Sequence, residues 1–290
     1  MMREENHTLG ISFNQGNSFL FGHDEQISFL LDRLRTSQIP NAWLFHGPMG
    51  IGKASLALNI GKVLSNIDFS KKNHVVSISE QNIRNPKTTV NISNFFYCRR
   101  SWDDKKKLFQ KYISIEDIRE INRKFSLSST DNSYKVCVVD TTEDLNISAA
   151  NSLLKILEEP PKNTLFILVT NNQQSILPTI LSRCQKVNFQ RLNEKNLRDI
   201  WTSFLTENQI DQSTDVSAVA YCDGSARKLL IFRDKDYIKI FNGMKTLLLD
   251  LPILNKRKAI TLLVGNKDYL SSSDPDKSAF GILLRLVSSL

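Results

Sequence analysis

VCVVDTTEDLNISAANSLLKILEEPPKNTLFILVTNNQQSILPTILSRC, residues 136–184, is the stretch whose reading decides the fold. Its first run, Val136-Cys137-Val138-Val139, is continuously apolar and stops at Asp140. A parallel strand covered on both faces reads this way when its carboxyl end carries a functional acid. A second run, Leu165 to Val169, repeats the pattern and ends on Thr170-Asn171. Between them Ile147, Ala150, Leu154 and Leu157 recur at helical spacing, and Pro160-Pro161 halts that helix because neither nitrogen can donate a hydrogen bond. Strand, helix and strand in this order specify a right-handed crossover unit.

Upstream, the apolar run Ala42-Trp43-Leu44-Phe45 leads into Gly47-Pro48-Met49-Gly50-Ile51-Gly52-Lys53, and a helical run through Leu56, Ala57 and Ile60 follows. This is the pattern of a phosphate-binding loop. Glycines let backbone N–H groups face an anion, the helix N-terminus adds positive partial charge, and Lys53 reaches the outer phosphates. A strand before it, a helix after it and a later strand ending in Asp140 make the signal specific.

Three pieces, GPMGIGKASLA, NSLLKILEEPP and LPTILSRCQ, taken in that order and spacing, resemble the clamp-loader branch of the AAA+ ATPases, and within it the delta-prime-type subunits of bacterial DNA polymerase III. The resemblance covers residues 19–232. It implies an α/β fold: a RecA-like parallel-sheet P-loop core of AAA+ type over 1–190, a three-helix lid over 191–234 and a partial, short or truncated helical collar over 235–290. It also implies a cytoplasmic hetero-oligomer whose partners are the motor subunits, the delta subunit and, through the complex, the sliding clamp and primed DNA.

Hydrolysis on such a fold needs a hydroxyl on Mg²⁺ directly after the loop lysine, an acid ending the second strand and a carboxylate that orients water. The first place holds Ala54, which has no oxygen to offer. Ser55 is one position on, turned by about 100° around the helix. Asp140 is kept, but Thr141 stands where motor subunits carry Glu, threonine is no general base near neutral pH, and Glu143 is expected on a different part of the turn. Gly47, Gly50, Gly52 and Lys53 would then hold ATP or ADP weakly without efficient turnover, or else the loop only packs its helix on the sheet. By the resemblance Thr170 or Asn171 takes the sensor-1 place and Arg227, in Gly224-Ser225-Ala226-Arg227, the sensor-2 place. Arg183 in Ser182-Arg183-Cys184 matches the arginine finger that acts in trans on a neighbour's ATP. Its other reading is a surface arginine paired with Glu158 or Glu159.

The 290 residues carry 38 basic against 30 acidic side chains, a net charge of +8 and a pI near 9.3, which fits an acidic partner or simply solvated helix faces. Cys98, Cys137, Cys184 and Cys222 form no CxxC pair, which argues against a disulfide framework and a thiolate zinc site and suits a reducing compartment. Delta-prime-like proteins often carry a four-cysteine zinc module after the loop helix. Here that region, 65–112, holds Cys98 alone, so no zinc is expected. No run approaches the roughly 18 apolar residues of a membrane span, and the polar start MMREENHTLG is no signal peptide.

Around this frame, residues 1–18 read as a loose tail, and Ile27, Leu30, Leu31 and Leu34 as an amphipathic helix. The polar segment 65–112, with Lys105-Lys106-Lys107, reads as an irregular surface insertion with one strand at 87–92. Its lysine run is a solvated face or a contact to DNA or a partner. Ser114 and Asp117 suggest a capping box for a helix with Ile118, Ile121, Asn122 and Phe125 on one face. The alternation Lys186-Val187-Asn188-Phe189 suggests a last strand. Apolar stripes then outline helices at 197–205, 216–220, 226–230, 238–248, 260–263 and 282–286. Two other functions remain open on these residues: a motor subunit using Ser55 and Glu143 in unusual roles, and a basic DNA-binding module.

Overall fold

The computed structural model describes residues 20–66, 78–86, 94–103, 105, 108–126, 134–207, 216–249 and 278–287, together with 257, 261, 262 and 266. The expected tail at 1–18, the strand at 87–92, Lys106, Lys107 and the stripe of Ile260 and Leu263 lie outside them. Strands are β1 (Ala42–His46), β2 (Phe95–Cys98), β3 (Trp102–Asp103), β4 (Leu108–Phe109), β5 (Lys135–Asp140), β6 (Thr164–Thr170) and β7 (Gln185–Asn188). The helices of the first unit are α1 (Asp24–Arg35), α2 (Lys53–Leu64), α3 (Glu80–Arg84), α4 (Ile115–Ser126), α5 (Ile147–Glu158) and α6 (Pro178–Leu181).

The chain divides into two compact units, Met1–Gly47 with Gly52–Phe189, and Pro48–Ile51 with Gln190–Leu290. In the first, five strands lie in the order β2-β5-β6-β1-β7 and every pairing is parallel. The side-chain period of two sorts the apolar runs onto two faces. Ala42, Leu44, Cys137, Val139, Phe166 and Leu168 meet Ile118, Ile121 and Phe125 of α4 and Ala149, Ala150, Leu153 and Leu157 of α5 in one cluster. The alternate residues Trp43, Phe45, Val136, Val138, Leu165 and Ile167 are buried as well. Helix α2 packs on β5 and β6. Burial of both faces explains why these strands read as unbroken apolar runs, and the α/β parallel-sheet fold expected of the sequence is the fold observed.

Three local expectations need correction. The described residues of 65–112 are not irregular: they include helix α3 and the edge strand β2, in register with β5 from Phe95↔Val136 to Cys98↔Val139. Asn59 of α2 donates to the Ile83 carbonyl at 2.9 Å, and Arg84 donates to the Leu20 and Gly22 carbonyls, so the segment is built into the core. Four apolar residues between Asn94 and Arg99-Arg100 are too short a run to stand out against polar flanks. Ile147 is 81% exposed and does not share the buried face of α5. It is the first residue after the N-cap Asn146, whose side chain accepts from the Ala149 N–H, and the buried stripe begins only at Ala149. Asn122 is likewise exposed, although Ser114 and Asp117 do form the reciprocal cap, with N–H contacts of 2.9 and 3.3 Å.

In the second unit α7 (Glu194–Glu207), a short 3-10 turn (Val216–Tyr221), α8 (Ala226–Ile231), α9 (Lys235–Leu249) and α10 (Ala279–Val287) are described. Leu197, Trp201, Leu229, Phe232, Tyr237, Phe241, Ile282 and Leu286 share one apolar cluster. Phe232 and Phe241 meet edge to face at 4.9 Å, an arrangement the ring quadrupoles favour. No helix among the described residues is long and apolar enough to cross a membrane.

Candidate nucleotide site and arginine corner

Strand β1 delivers the glycine-rich loop at the carboxyl end of the sheet, where open parallel sheets place their ligands. Two glycines are required by their surroundings. At Gly47 an added Cβ would come within 2.2 Å of the Phe189 carbonyl oxygen. Gly50 has φ +78°, and its Cβ would strike the Ser225 hydroxyl and Arg227 Cβ. Gly52 precedes α2, which spans 12 residues and has no acidic side chain in its first turn. The positive end of that helix is therefore left for an anion.

Lys53 is 4% exposed, and its ammonium donates to the Gly47 carbonyl at 2.8 Å and to Asn171 Oδ1 at 3.1 Å. Burial pulls its pKa down to about 8, against the pull of the Glu143 and Asp140 carboxylates. Ala54 and Ser55 follow on α2 and are half-buried. Asp140 closes β5, and the Tyr97 hydroxyl donates to its Oδ2 at 2.7 Å. Burial raises the Asp140 pKa, while the Tyr97 hydrogen bond and Lys53 oppose the rise. Burial and the Asp140 charge push the phenol up, so Tyr97 remains a donor. Sequence reasoning missed Tyr97, which sits 43 positions from its partner on the overlooked strand β2. The aromatic run Phe95-Phe96-Tyr97 was the available signal.

The turn after β5 behaves differently from expectation. Glu143 Oε1 accepts the Asn171 N–H at 2.8 Å, and Oε2 is buried with no hydrogen-bond partner among the described residues. Glu143 is thus brought to the strand end beside Lys53. Thr170, one of the two residues expected at the sensor-1 place, is fully buried and its hydroxyl accepts from the Asn172 N–H at 3.1 Å. The neighbouring Asn171, the first residue beyond β6, meets Lys53 instead. In the second unit, the Arg227 N–H donates to the Gly50 carbonyl at 3.0 Å and its guanidinium lies 3.9 Å from Met49 Sδ.

Arg183 stands at a separate corner. Helix α6 ends at Leu181, and the guanidinium bonds Glu158 Oε1 at 2.8 Å and the Thr179 carbonyl at 3.0 Å. Both side chains of the ion pair are partly exposed. Burial pushes the adjacent Cys184 thiol up to about 12, so it is no reactive thiolate. Among the described residues no group of three or more His, Cys, Asp or Glu side chains could hold a metal.

In the first unit Gly47, Gly52, Lys53 and the start of α2 thus lie at the carboxyl end of β1, with the Lys53 ammonium bonded to the Gly47 carbonyl and Asn171. At the position that would give Mg²⁺ its hydroxyl ligand the chain offers a methyl group.

Comparison with known proteins adds kinship. The family described as DNA polymerase III, delta subunit matches residues 22–193. DNA polymerase III subunit tau of Bacillus subtilis is 28% identical over 217 residues, 74% of this chain and 36% of that protein. Subunit delta' of the same organism is 28% identical over 179 residues, 60% of this chain and 49% of that protein. Subunit delta' of Haemophilus influenzae is 42% identical over 85 residues, 29% of this chain and 26% of that protein. The chain spans half or less of the length of these relatives.

Proposed function

Because the chain belongs to the DNA polymerase III delta-subunit family, as a delta-prime-type member, we propose that it is a non-motor subunit of the clamp-loader complex, a stator that donates Arg183 to the ATP site of a neighbouring motor subunit. Its partners would be the motor and delta subunits and, through the complex, the sliding clamp and primed DNA, in the cytoplasm. The proposal includes a core at 1–190, a lid at 191–234 and a collar at 235–290 that joins the ring.

The observation that carries this reading is the contrast between two corners of one chain. At the loop, Ala54 removes the Mg²⁺ ligand and Thr141 the base, and Tyr97 occupies one oxygen of Asp140. A bound ATP or ADP would supply phosphates for Lys53 and the N–H groups at the start of α2 to grip, and at position 141 the chain carries a threonine, which is no base for water. At the other corner Arg183 is partly exposed, permanently charged and able to fork across phosphate oxygens.

The test is ATPase turnover of the reconstituted complex with primed DNA and clamp, comparing this subunit with Arg183→Ala. A finger in trans predicts a loss of about 10³-fold or more with assembly intact. Unchanged turnover in an assembled ring would reject it.

A second reading, an autonomous ATPase, is favoured by one observation: Glu143 sits in the Lys53 cluster. One of its two oxygens is taken by the Asn171 N–H, however, and Ala54 stands against Mg²⁺ chemistry. Appreciable Mg²⁺-dependent turnover by the isolated chain would decide for it.

A further inference from the structure

Strands β3 and β4 form a hairpin that the proposed function does not use. Trp102 pairs with Phe109 and Asp103 with Leu108, and the Gln110 N–H donates to the Ser101 carbonyl at 2.8 Å. Its two largest rings face water: Trp102 is 42% exposed and Tyr112 46%. Neither ring is loose. Trp102 meets Phe109 edge to face at 4.9 Å, and the Lys111 ammonium lies 5.1 Å from the centre of the Tyr112 ring.

The hairpin base is tied to the core. The Ile113 N–H donates to the Asp144 carbonyl at 2.7 Å, the Asn146 N–H to the Ile113 carbonyl at 3.2 Å, and Arg100 pairs with the Asp144 carboxylate at 3.2 Å. Among the described residues of 99–112 the cations are Arg99, Arg100, Lys105 and Lys111 and the one acid is Asp103, so 4 − 1 = +3. Lys105 and Lys111 are exposed.

Exposed rings held in place beside an excess of cations match one chemistry better than others. A nucleobase offers a π-face to any aromatic ring, whatever its sequence, and the phosphates it carries suit lysine. A duplex hides its base faces in the stack, so it would engage the lysines and leave the rings in water. We propose that this hairpin binds single-stranded nucleic acid, with Trp102 and Tyr112 stacking on bases and Lys105 and Lys111 contacting phosphates.

The molecule carries its own reporter. Of its three tryptophans, Trp43 and Trp201 are 0% and 3% exposed, so the water-exposed emission belongs to Trp102. The full chain is titrated with an oligothymidylate of about 12 nucleotides, a length one module can cover. Expected are quenching of the exposed emission and, by anisotropy of a labelled oligonucleotide, about tenfold weaker binding for Trp102→Ala. The double variant Lys105→Glu with Lys111→Glu removes no ring, gives up only the Lys111 contact to Tyr112 and changes exposed positions, so its folding is not at risk. It should weaken binding and flatten the slope of log affinity against log salt by about 1.4, or about 0.7 for each cation. Equal affinity for a duplex of the same length with unchanged Trp102 emission, equal quenching by polyglutamate, or parent-like binding of both variants would each overturn the proposal.

Discussion

Glu158, the last residue of α5, holds the guanidinium of Arg183 at 2.8 Å, joining the end of that helix to the corner before β7. A partly exposed pair of this kind contributes at most about 1 kcal/mol. The bond fixes where the arginine rests without binding it tightly, and the proposed finger role requires a phosphate to displace the carboxylate.

Substituting Glu158→Gln should therefore leave thermal stability within about 1 kcal/mol of the parent. On the proposed finger role, turnover of the assembled complex should hold at or above the parent level in this variant, while Arg183→Ala should lower it about 10³-fold or more. Paired melting curves and ATPase assays separate the two residues. A collapse of turnover in Glu158→Gln would mean that the carboxylate positions the finger, not that it competes for it.

Tyr97→Phe removes the hydroxyl that donates to Asp140. A buried carboxylate oxygen left without its donor costs about 1–3 kcal/mol, readable in urea unfolding. The Asp140 pKa, already raised by burial, should climb further because a contact that lowers it is gone. Carboxyl-carbon NMR titration of parent and variant gives the direction.

Lys53 gives a signed pH dependence. Its folded pKa is about 8 against an ordinary 10.5, so between those values the unfolded chain binds more protons and stability rises with pH. Below about pH 8 the cost of burying the charge is fully present. Relative to a Lys53→Met variant, which has no titrating group there, the parent should gain stability from about pH 8 to pH 10.5. Melting temperatures of both proteins across that range test it, and parallel curves would refute it.

Gly61→Ala is expected to destabilise although alanine is the better helix former. A Cβ at Gly61 would lie 2.0 Å from a ring carbon of Phe95, forcing α2 and edge strand β2 apart. Overpacking of this kind costs about 1–3 kcal/mol, more than the roughly 1 kcal/mol that alanine returns. A denaturation midpoint above the parent's would show that β2 yields freely.

What could be read in the chain and what could not follows from how far each signal reaches. Strands β1, β5 and β6 are buried on both faces, so their runs were unmistakable. Strand β2 has four residues set among polar ones, and no local rule ties Tyr97 to Asp140 across 43 positions. On α5, Ile147 fits the helical period but falls in the first turn, outside the packed stripe. At the end of β6 the choice between Thr170 and Asn171 rested on where the strand stops, and Asn171 is the first residue beyond it. At Arg183 the residues offered two carboxylates as partners, and only packing at the end of α5 selects Glu158 over Glu159.

The strand order has a further consequence for how the protein comes into being. Strand β1 lies between β6 and β7, and Ala42 pairs with Phe166, so 166 − 42 = 124 residues separate the two partners. At about 5–20 residues per second of synthesis, Trp43, Leu44 and Phe45 wait roughly 6–25 s for a neighbouring strand. During that wait an apolar strand has no partner for its N–H and C=O groups, an exposure to aggregation that ends once Thr164–Thr170 has been made.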